Sequence, residues 1–345
     1  MGPSPLLRNR WRAFRANGRA WFSLRAFAVI AALAAAAPLI ANDKPLIIWH
    51  DGAALFPVVR FYPETALGGE FATEADYKDP YVRGLIAAKG WAIWPPVPYA
   101  WDTVNYAVTG PVPSPPSADN WLGTDDQGRD VVARALYGTR LSLAFGLLLA
   151  PAAAALGILA GLMQGYYGGA ADLLAQRALE VWGSLPRLLI LILFSALFTP
   201  GFWTLLLILL LFSWPSLVDV VRAESLRARN FAYVLSARAL GVAGPVIMLR
   251  HVLPNALVAA VSFMPFIVTD AVVALASLDF LGLGLPPGSP SLGELLAQGK
   301  NNLHAPWLGL TAFCTLAVLL TLLAFIGEGV RDALDPRCTQ GRAQS

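Results

Sequence analysis

The stretch LLILILFSALFTPGFWTLLLILLLF, residues 188–212, decides the fold because it runs for 25 residues without a charge. A helix of about 20 apolar residues is enough to cross the hydrocarbon core of a bilayer. The sequence Thr199-Pro200-Gly201 in its middle predicts either a kink in one helix or a tight turn between two. The choice sets the side of the membrane on which every later segment lies.

The rest of the chain has a membrane composition. Of 345 residues, 57% are hydrophobic and 14% are charged, and the mean hydropathy is +0.58, whereas soluble proteins carry about 25% charged residues. Clear spans are predicted at 141–163, 256–280 and 305–326. A shorter run at 26–41 predicts a first span that Trp21 and Phe22 extend, with a cleaved signal peptide as the alternative.

Charge decides how the opening stretch is divided. Residues 1–25 hold six arginines and no acid, residues 222–254 hold five arginines and one acid, and residues 42–135 hold seven basic and twelve acidic side chains. Cytoplasmic loops carry the excess of basic residues. Two spans, roughly 181–198 and 202–221, put both arginine-rich segments inside, whereas one span leaves the second outside. We therefore predict an all-α polytopic membrane protein with six transmembrane helices and both termini in the cytoplasm.

The predicted order gives four parts. Residues 1–41 form a basic tail and the first helix, and residues 42–135 form an outside insertion with an outer-surface helix at about 129–140. Short strands and turns are expected over 42–120, and PVPSPPSADNW, residues 111–121, predicts an extended connector. Residues 136–335 form the helical core, and residues 336–345 form a cytoplasmic tail.

FAYVLSARALGVAGPVIMLRHVLPNAL, residues 231–257, interrupts this apolar core. Asn230 is a candidate N-cap, and Gly241 stands where a helix C-cap takes a left-handed residue. Pro245 can begin a second short helix, which Pro254 is expected to end. The pair is too short to be stable alone and is expected to pack on something. It could dock in a groove of a soluble protein or lie on anionic lipid through its arginines.

This helix-glycine-helix arrangement resembles the cytoplasmic loop of permease subunits in binding-protein-dependent ABC importers. The family pattern is Glu-Ala-Ala, a glycine four residues later, and a closing Leu-Pro. Ala237 matches the second alanine, Gly241 matches the glycine, and Leu253-Pro254-Asn255 matches the close, while Leu235 replaces the glutamate and Ser236 replaces the first alanine. The resemblance implies that Tyr233, Ser236, Ala237, Arg238, Gly241 and Pro254 couple this loop, residues 222–254, to an ATPase.

A second motif supports the same family. WLGTDDQGRDVVARALYGTRLSLAFG, residues 121–146, resembles the lead into the second span in the dipeptide and oligopeptide branch. Its DDQGRD sequence lacks the twelve-residue ligand spacing of a calcium loop. The long insertion resembles the microcin C and oligopeptide type of permease. By this resemblance, residues 136–335 correspond to the type I ABC importer permease core, in a bacterial inner membrane with a periplasmic insertion.

The resemblance implies partners. Two permease subunits would form a pore, two cytoplasmic ATPase subunits would drive it, and a periplasmic or lipid-anchored binding protein would deliver the solute. The expected solutes are peptides or peptide-like compounds, with nickel as an alternative. Membrane lipid is expected to surround the spans. No nucleic acid, cofactor or metal is expected. The sequence has no Gly-x-x-x-x-Gly-Lys-Ser/Thr loop for ATP, and His50, His251 and His304 lie far apart in the sequence, without zinc-site spacing.

Two features inside the spans point to packing and transport. Gly157, Gly161 and Gly165, at four-residue spacing, would let a neighbouring helix approach closely; the neighbour could belong to another subunit or to this chain. Asp270 lies within a span, where a carboxylate is expensive, so we expect it to face a water-filled path or a partner on another helix.

Two other functional classes differ from a transporter in what they require. A membrane-embedded serine protease would need a Gly-x-Ser-x-Gly-like site and a histidine within a span, and the sequence has neither. A passive channel would also place glycines and aspartates along a pore, but it would work without an ATPase.

Overall fold

The computed structural model describes residues 5–108, 110–198 and 201–334. The helices are α1 (Pro5–Ala16), α2 (Gly18–Ala35), α3 (Ala37–Ile40), α4 (Pro80–Lys89), α5 (Val131–Tyr167), α6 (Gly169–Gly183), α7 (Arg187–Leu197), α8 (Phe202–Ser213), α9 (Pro215–Ala228), α10 (Ala232–Ala239), α11 (Gly244–Ile247), α12 (Leu253–Phe280), α13 (Leu292–Asn301) and α14 (Pro306–Leu334). The strands are β1 (Ile47–His50), β2 (Ala53–Leu55) and β3 (Gly90–Ile93). A 3₁₀ helix covers Glu64–Leu67, and a π-helical segment covers Met248–Val252.

Over the described residues, five helical segments are long and apolar enough to cross a membrane. They are Gly18–Ala35, Val131–Tyr167, Phe202–Ala228, Gly244–Phe280 and Pro306–Leu334. The crossing predicted at 181–198 is not one helix, because α6 ends at Gly183 and α7 begins after Pro186. A proline disfavours helical backbone at the residue before it and has no N–H to donate. With 11 residues, α7 is about 16 Å long, roughly half of a bilayer core. The count of six spans stays a prediction.

The stretch 188–212 forms parts of two helices. α7 ends at Leu197, and Phe198 has extended backbone angles. α8 begins at Phe202 and continues with α9 as one apolar segment to Ala228. Thr199 and Pro200 of the predicted break lie outside the described residues.

The helical core is centred on α5, which packs most extensively on α9 and α12. α14 packs on α2, α12 and α13. Gly329 of α14 allows the close approach of α2, because a Cβ at this position would lie 2.2 Å from the Cβ of Ala20. In lipid, such helices associate mainly through close packing and interhelical hydrogen bonds.

The insertion forms a small folded unit between α3 and α5. Its three strands pair antiparallel in the order β2-β1-β3. Ile48, Tyr77, Val82 and Ile86 are buried together in a core of their own. The strands and turns expected over 42–120 are therefore confirmed.

The outer-surface helix predicted at 129–140 is wrong as a separate element. Asp130 caps α5 by accepting a hydrogen bond from the Ala133 N–H at 2.9 Å. The helix then continues without a break to Tyr167. No glycine-proline breaker separates the polar first turns from the apolar span, so the predicted surface helix is the start of α5.

Candidate functional site

The helix-glycine-helix segment, residues 231–254, is called the elbow here. Its first helix, α10, begins after Phe231, and the predicted N-cap was wrong: the side chain of Asn230 donates back to the Leu226 carbonyl at 3.1 Å. The helix ends in a Schellman motif at Gly241, which has a φ of +76°. The N–H groups of Gly241 and Val242 donate to the carbonyls of Arg238 and Ala237, the pairing that defines this motif.

The second half of the elbow does not end at Pro254 as predicted. α11, the π-helical segment and α12 form one continuous helix from Gly244 to Phe280. Leu253 donates its N–H to the Met248 carbonyl, five residues back. A local π-helical turn of this kind allows a helix to continue through a proline, which has no N–H to donate. The elbow is thus directly continuous with a span.

One face of the elbow packs into the helical core. Val234, Ile247 and Val252 are completely buried, in a cluster that also contains Leu162 and Tyr166 of α5. The guanidinium of Arg238 lies over the Tyr166 ring, 5.4 Å from its centroid. The elbow is therefore fixed to α5 and cannot swing as a free loop.

The other face of the elbow is exposed. Tyr233, Leu235 and Leu240 are 46%, 49% and 83% exposed. The residues that the resemblance implied divide between the two faces: Tyr233, Ser236, Arg238, Gly241 and Pro254 are exposed, and Ala237 is buried. Asn255, the last residue of the motif matched in the sequence, donates to the Tyr233 hydroxyl at 2.9 Å and ties the two halves together.

The three spaced glycines of α5 face α9 of the same chain. A Cβ at Gly157 would lie 2.6 Å from the Trp214 carbonyl oxygen. A Cβ at Gly161 would lie 2.6 Å from the Val218 carbonyl oxygen. Gly165 is equally close to the Arg222 carbonyl oxygen. These distances are below any real Cβ contact, so glycine is what lets the two backbones touch.

Asp270 lies in the interior of α12 and is exposed on the surface of this chain. Arg187, at the start of α7, is the charged side chain that acts on it electrostatically. A charge at this depth in a membrane is stable only beside water, a partner side chain or another protein surface.

A buried ion cluster joins the start of α5 to α13. It consists of Asp125, Arg129, Arg134 and Glu294, and is called the clasp here. Arg129 Nη2 lies 2.7 Å from Asp125 Oδ2, Arg134 Nε lies 3.3 Å from the same oxygen, and Arg134 Nη2 lies 3.0 Å from Glu294 Oε2. The side chain of Arg134 has no exposed surface.

Both arginines of the clasp also bind the backbone of the loop between α12 and α13. Arg134 donates to the carbonyls of Gly288 at 3.2 Å and Ser289 at 2.9 Å. Asp279 fixes the same loop by accepting from the Leu285 N–H at 2.7 Å and from the Ser291 hydroxyl. Asp279 is itself buried, with 8% of its surface exposed.

Two ionisable groups near the clasp are shifted by burial. Burial raises the pKa of the Asp130 carboxyl, an effect that the hydrogen bond from Asn120 opposes. Burial lowers the pKa of Lys78 to about 8, and Asp43 opposes the shift. The Lys78 ammonium lies 3.5 Å from the centroid of the Tyr99 ring.

Comparisons with known proteins place this geometry in a family. Residues 155–340 match the family of binding-protein-dependent transport system inner membrane components. The chain is 54% identical over 333 residues to the inner membrane ABC transporter permease protein YejE of Escherichia coli K12, covering 96% of this chain and 98% of that protein. It is 51% identical to the peptidoglycan transport system permease protein YejE of Agrobacterium fabrum, covering 97% and 94%.

A more distant relative is also named as the permease protein of a transport system. The chain is 36% identical over 260 residues to the glutathione transport system permease protein GsiD of Pectobacterium atrosepticum, covering 74% of this chain and 85% of that protein. The matched family region contains the elbow and both α9 and α12, and it begins within α5. The chain belongs to the family of inner membrane components of binding-protein-dependent transport systems.

Proposed function

We propose that this chain is the permease subunit of an ABC importer for peptides or peptide-like compounds, and that the elbow docks on a cytoplasmic ATPase. The observation that carries the proposal is the two-faced elbow: one face is buried against α5, and the other presents exposed apolar side chains. Because the elbow is continuous with α12, a displacement by the ATPase would move that span as a rigid body and rock the bundle.

The exposed side of the elbow supports a protein partner over a lipid surface. Leu240 and Tyr233 stand out on a short segment around a rigid turn, which fits insertion into a groove. Arg238, which could have bound lipid phosphate, is instead placed over the Tyr166 ring. Two ATPase subunits would serve this chain and a second permease.

Asp270 supports a path formed with that second permease. Within one chain its carboxylate is exposed on an apolar helix, and a second subunit would enclose it beside water. In this proposal Asp270 lines the translocation path. The charge distribution further supports six crossings, with α6 and α7 together making the third and both termini in the cytoplasm.

The solute class follows from the relatives. Relatives are named for the transport of peptidoglycan, glutathione and dipeptides, all of which contain peptide bonds. The two YejE relatives match nearly the whole chain, including the insertion. In this proposal the insertion, in the periplasm, contacts a binding protein that delivers peptide-like solutes of the microcin C and oligopeptide type.

The coupling test uses Gly241. Gly241→Val places a β-branched residue at a φ of +76°, where nothing lies within 4 Å of the new Cβ, so the defect is conformational. Gly241→Asn keeps access to the left-handed region. In proteoliposomes holding the whole transporter, we expect Gly241→Val to lose ATP-dependent uptake of radiolabelled trialanine and co-purification of the ATPase, and Gly241→Asn to keep both.

Gly282 provides the matched control. It has a φ of +73° and ends α12 in the same Schellman pairing, through the carbonyls of Asp279 and Leu278. Gly282→Val therefore carries the same backbone strain outside the elbow, and should keep the ATPase bound. If Gly241→Val keeps both the ATPase and uptake, coupling through the elbow is wrong.

Sidedness is tested by cysteine labelling in a background with Cys314→Ser and Cys338→Ser. Ser236→Cys on the elbow should resist a membrane-impermeant maleimide added to intact spheroplasts and react after lysis. Ala118→Cys, exposed on the connector of the insertion, should react in intact spheroplasts. Labelling of Ser236→Cys from outside would invert the topology and exclude contact with a cytoplasmic ATPase.

A further inference from the structure

We propose that a groove beneath α1 binds an anionic phospholipid, with its phosphate at Arg8 and Arg10 and an acyl chain between α12 and α14. The groove is called the α1 groove here, and it has a volume of about 660 Å³. It is distinct from the elbow and from Asp270, and the inference holds whichever solute the transporter carries.

The walls of the groove have the chemistry of an acyl-chain site. α12 contributes Leu257 and Val261, and α14 contributes Ile326 and Val330, all of them apolar. Both helices are candidate membrane spans, so the groove opens where lipid tails are the surrounding medium. Its volume lies in the range of sites that enclose a small organic ligand.

The rim of the groove has the chemistry of a phosphate site. α1 carries Arg8, Arg10, Arg12 and Arg15 and no acidic residue, and Arg8 and Arg10 line the groove. Basic residues next to a span attract anionic headgroups. A zwitterionic lipid would fill the same walls but would gain little from two guanidinium groups.

Aromatic side chains fix α1 at this position. Phe14 is 5% exposed and packs near Gly329 of α14, whereas Trp11 is 45% exposed and lines the groove. The Arg15 guanidinium lies over both the Trp11 and Trp21 rings, 5.0 and 4.9 Å from their centroids. Tryptophan and arginine together are typical of the headgroup level of a membrane.

The combination favours a lipid over a protein occupant. The wall is apolar along the membrane-spanning helices, and the positive charge is confined to one end. A single phospholipid in one leaflet has the same distribution, with a charged headgroup at one end and apolar tails at the other. Leu257 lies three residues after Pro254, so the lipid would contact α12 directly beyond the elbow. It would thereby bridge the N-terminal helix to the span that the elbow moves.

The first test is lipid selectivity by native mass spectrometry of the purified whole transporter. Titration with phosphatidylglycerol and phosphatidylcholine should show about tenfold tighter binding of the anionic lipid. Arg10→Gln should weaken phosphatidylglycerol binding about fivefold, as expected for one basic residue near an anionic group. Arg12→Gln removes the same charge from the same helix but does not line the groove, so it should change binding less than twofold.

The second test fills the groove. Val261→Trp adds an indole to the wall and should abolish tight phosphatidylglycerol binding. Val318→Trp is the control: Val261 and Val318 are both 50% exposed, but Val318 lines a separate groove of about 410 Å³ that has no arginine. Leu257→Trp provides a second groove-filling variant if Val261→Trp lowers the melting temperature.

Three results would overturn the proposal. One is equal binding of the two lipids, and another is an equal loss in Arg10→Gln and Arg12→Gln. The third is release of a protein subunit by Val261→Trp or Leu257→Trp with lipid binding unchanged, which would assign the groove to a protein.

Discussion

The elbow and the clasp both contain arginine, but the clasp buries its arginine side chains and the elbow exposes its own. In the clasp, Arg134 has no exposed surface, and its guanidinium contacts two carboxylates and three backbone carbonyls of its own chain. In the elbow, Arg238 is exposed and lies on one aromatic ring. The clasp closes one end of the bundle, and the elbow leaves apolar and polar surface open at another segment.

The difference shows where this chain is complete and where it needs a partner. A buried charge without its partners is costly, so the clasp must be satisfied within the chain. The elbow buries only one face, and the side chains of Leu235 and Leu240 on the other face leave apolar surface exposed. We therefore expect clasp variants to lower stability and elbow variants to lower coupling.

The largest expected effect is on the clasp. Arg134→Gln removes one of the two cations that face Asp125 and Glu294 and leaves only Arg129 to pair with them, so it should destabilise the folded chain by about 3–5 kcal/mol. Arg238→Gln makes the same chemical change on the exposed face and should cost less than about 0.5 kcal/mol. Thermal unfolding in detergent measures both, and equal melting shifts would refute the contrast between the two regions.

The second effect concerns the helix pair beneath the elbow. Gly161→Ala forces a Cβ to within 2.6 Å of the Val218 carbonyl oxygen and 2.9 Å of the Val221 Cβ, so we expect a loss of about 1–3 kcal/mol as α5 and α9 separate. Gly183→Ala has nothing within 4 Å and should leave stability unchanged or slightly raised. Chemical unfolding compares the two; a tolerated Gly161→Ala would mean that the helices are not in close contact.

The third effect is a dependence of stability on pH, which we expect from Lys78. Lys78 has a folded pKa of about 8 against 10.5 for the free side chain, so between these values the unfolded chain binds more protons. Stability should therefore rise with pH, by about 1 kcal/mol from pH 7.5 to 9. Lys78→Met should remove this rise. Unfolding measured across the range, with the same slope in both proteins, would show that Lys78 is not desolvated.

The smallest expected effect on stability is at the elbow surface. Leu240 is 83% exposed, so Leu240→Asp should change the free energy of unfolding by less than about 0.5 kcal/mol while preventing co-purification of the ATPase. Leu303→Asp is the matched control, because Leu303 follows α13 and is 84% exposed. This variant should keep the ATPase. Retention of the ATPase by Leu240→Asp would show that the apolar elbow surface is not the docking face.

Much of the elbow could be predicted because its cause is local. A left-handed glycine after a short helix needs only neighbouring carbonyls to complete a Schellman motif, and Gly241 does so. The effect of Pro254 could not be predicted, because a proline either ends a helix or lets it continue through a π-helical turn. Packing of Val252 and Ile247 in the core accompanies the second outcome here.

The clasp could be predicted only in part. Asp125, Arg129 and Arg134 belong to a motif visible in the sequence, but their partner Glu294 lies 160 residues beyond Arg134. Nothing local distinguishes Glu294 from a solvated residue in the first turn of a helix. The same holds for Asp279, which lies near the end of a span and is buried by partners that only the folded structure brings to it.

The sequence by itself determined that this chain lies in a membrane, where its apolar helices run, and that residues 231–254 turn at a glycine, because hydropathy and backbone preference act over short distances. The tertiary structure alone decided which faces are closed. Burial of Arg134, contact of the α5 glycines with α9, and exposure of Leu240 and Asp270 all depend on which distant helices meet. That meeting is governed by packing and charge pairing between segments far apart in the chain.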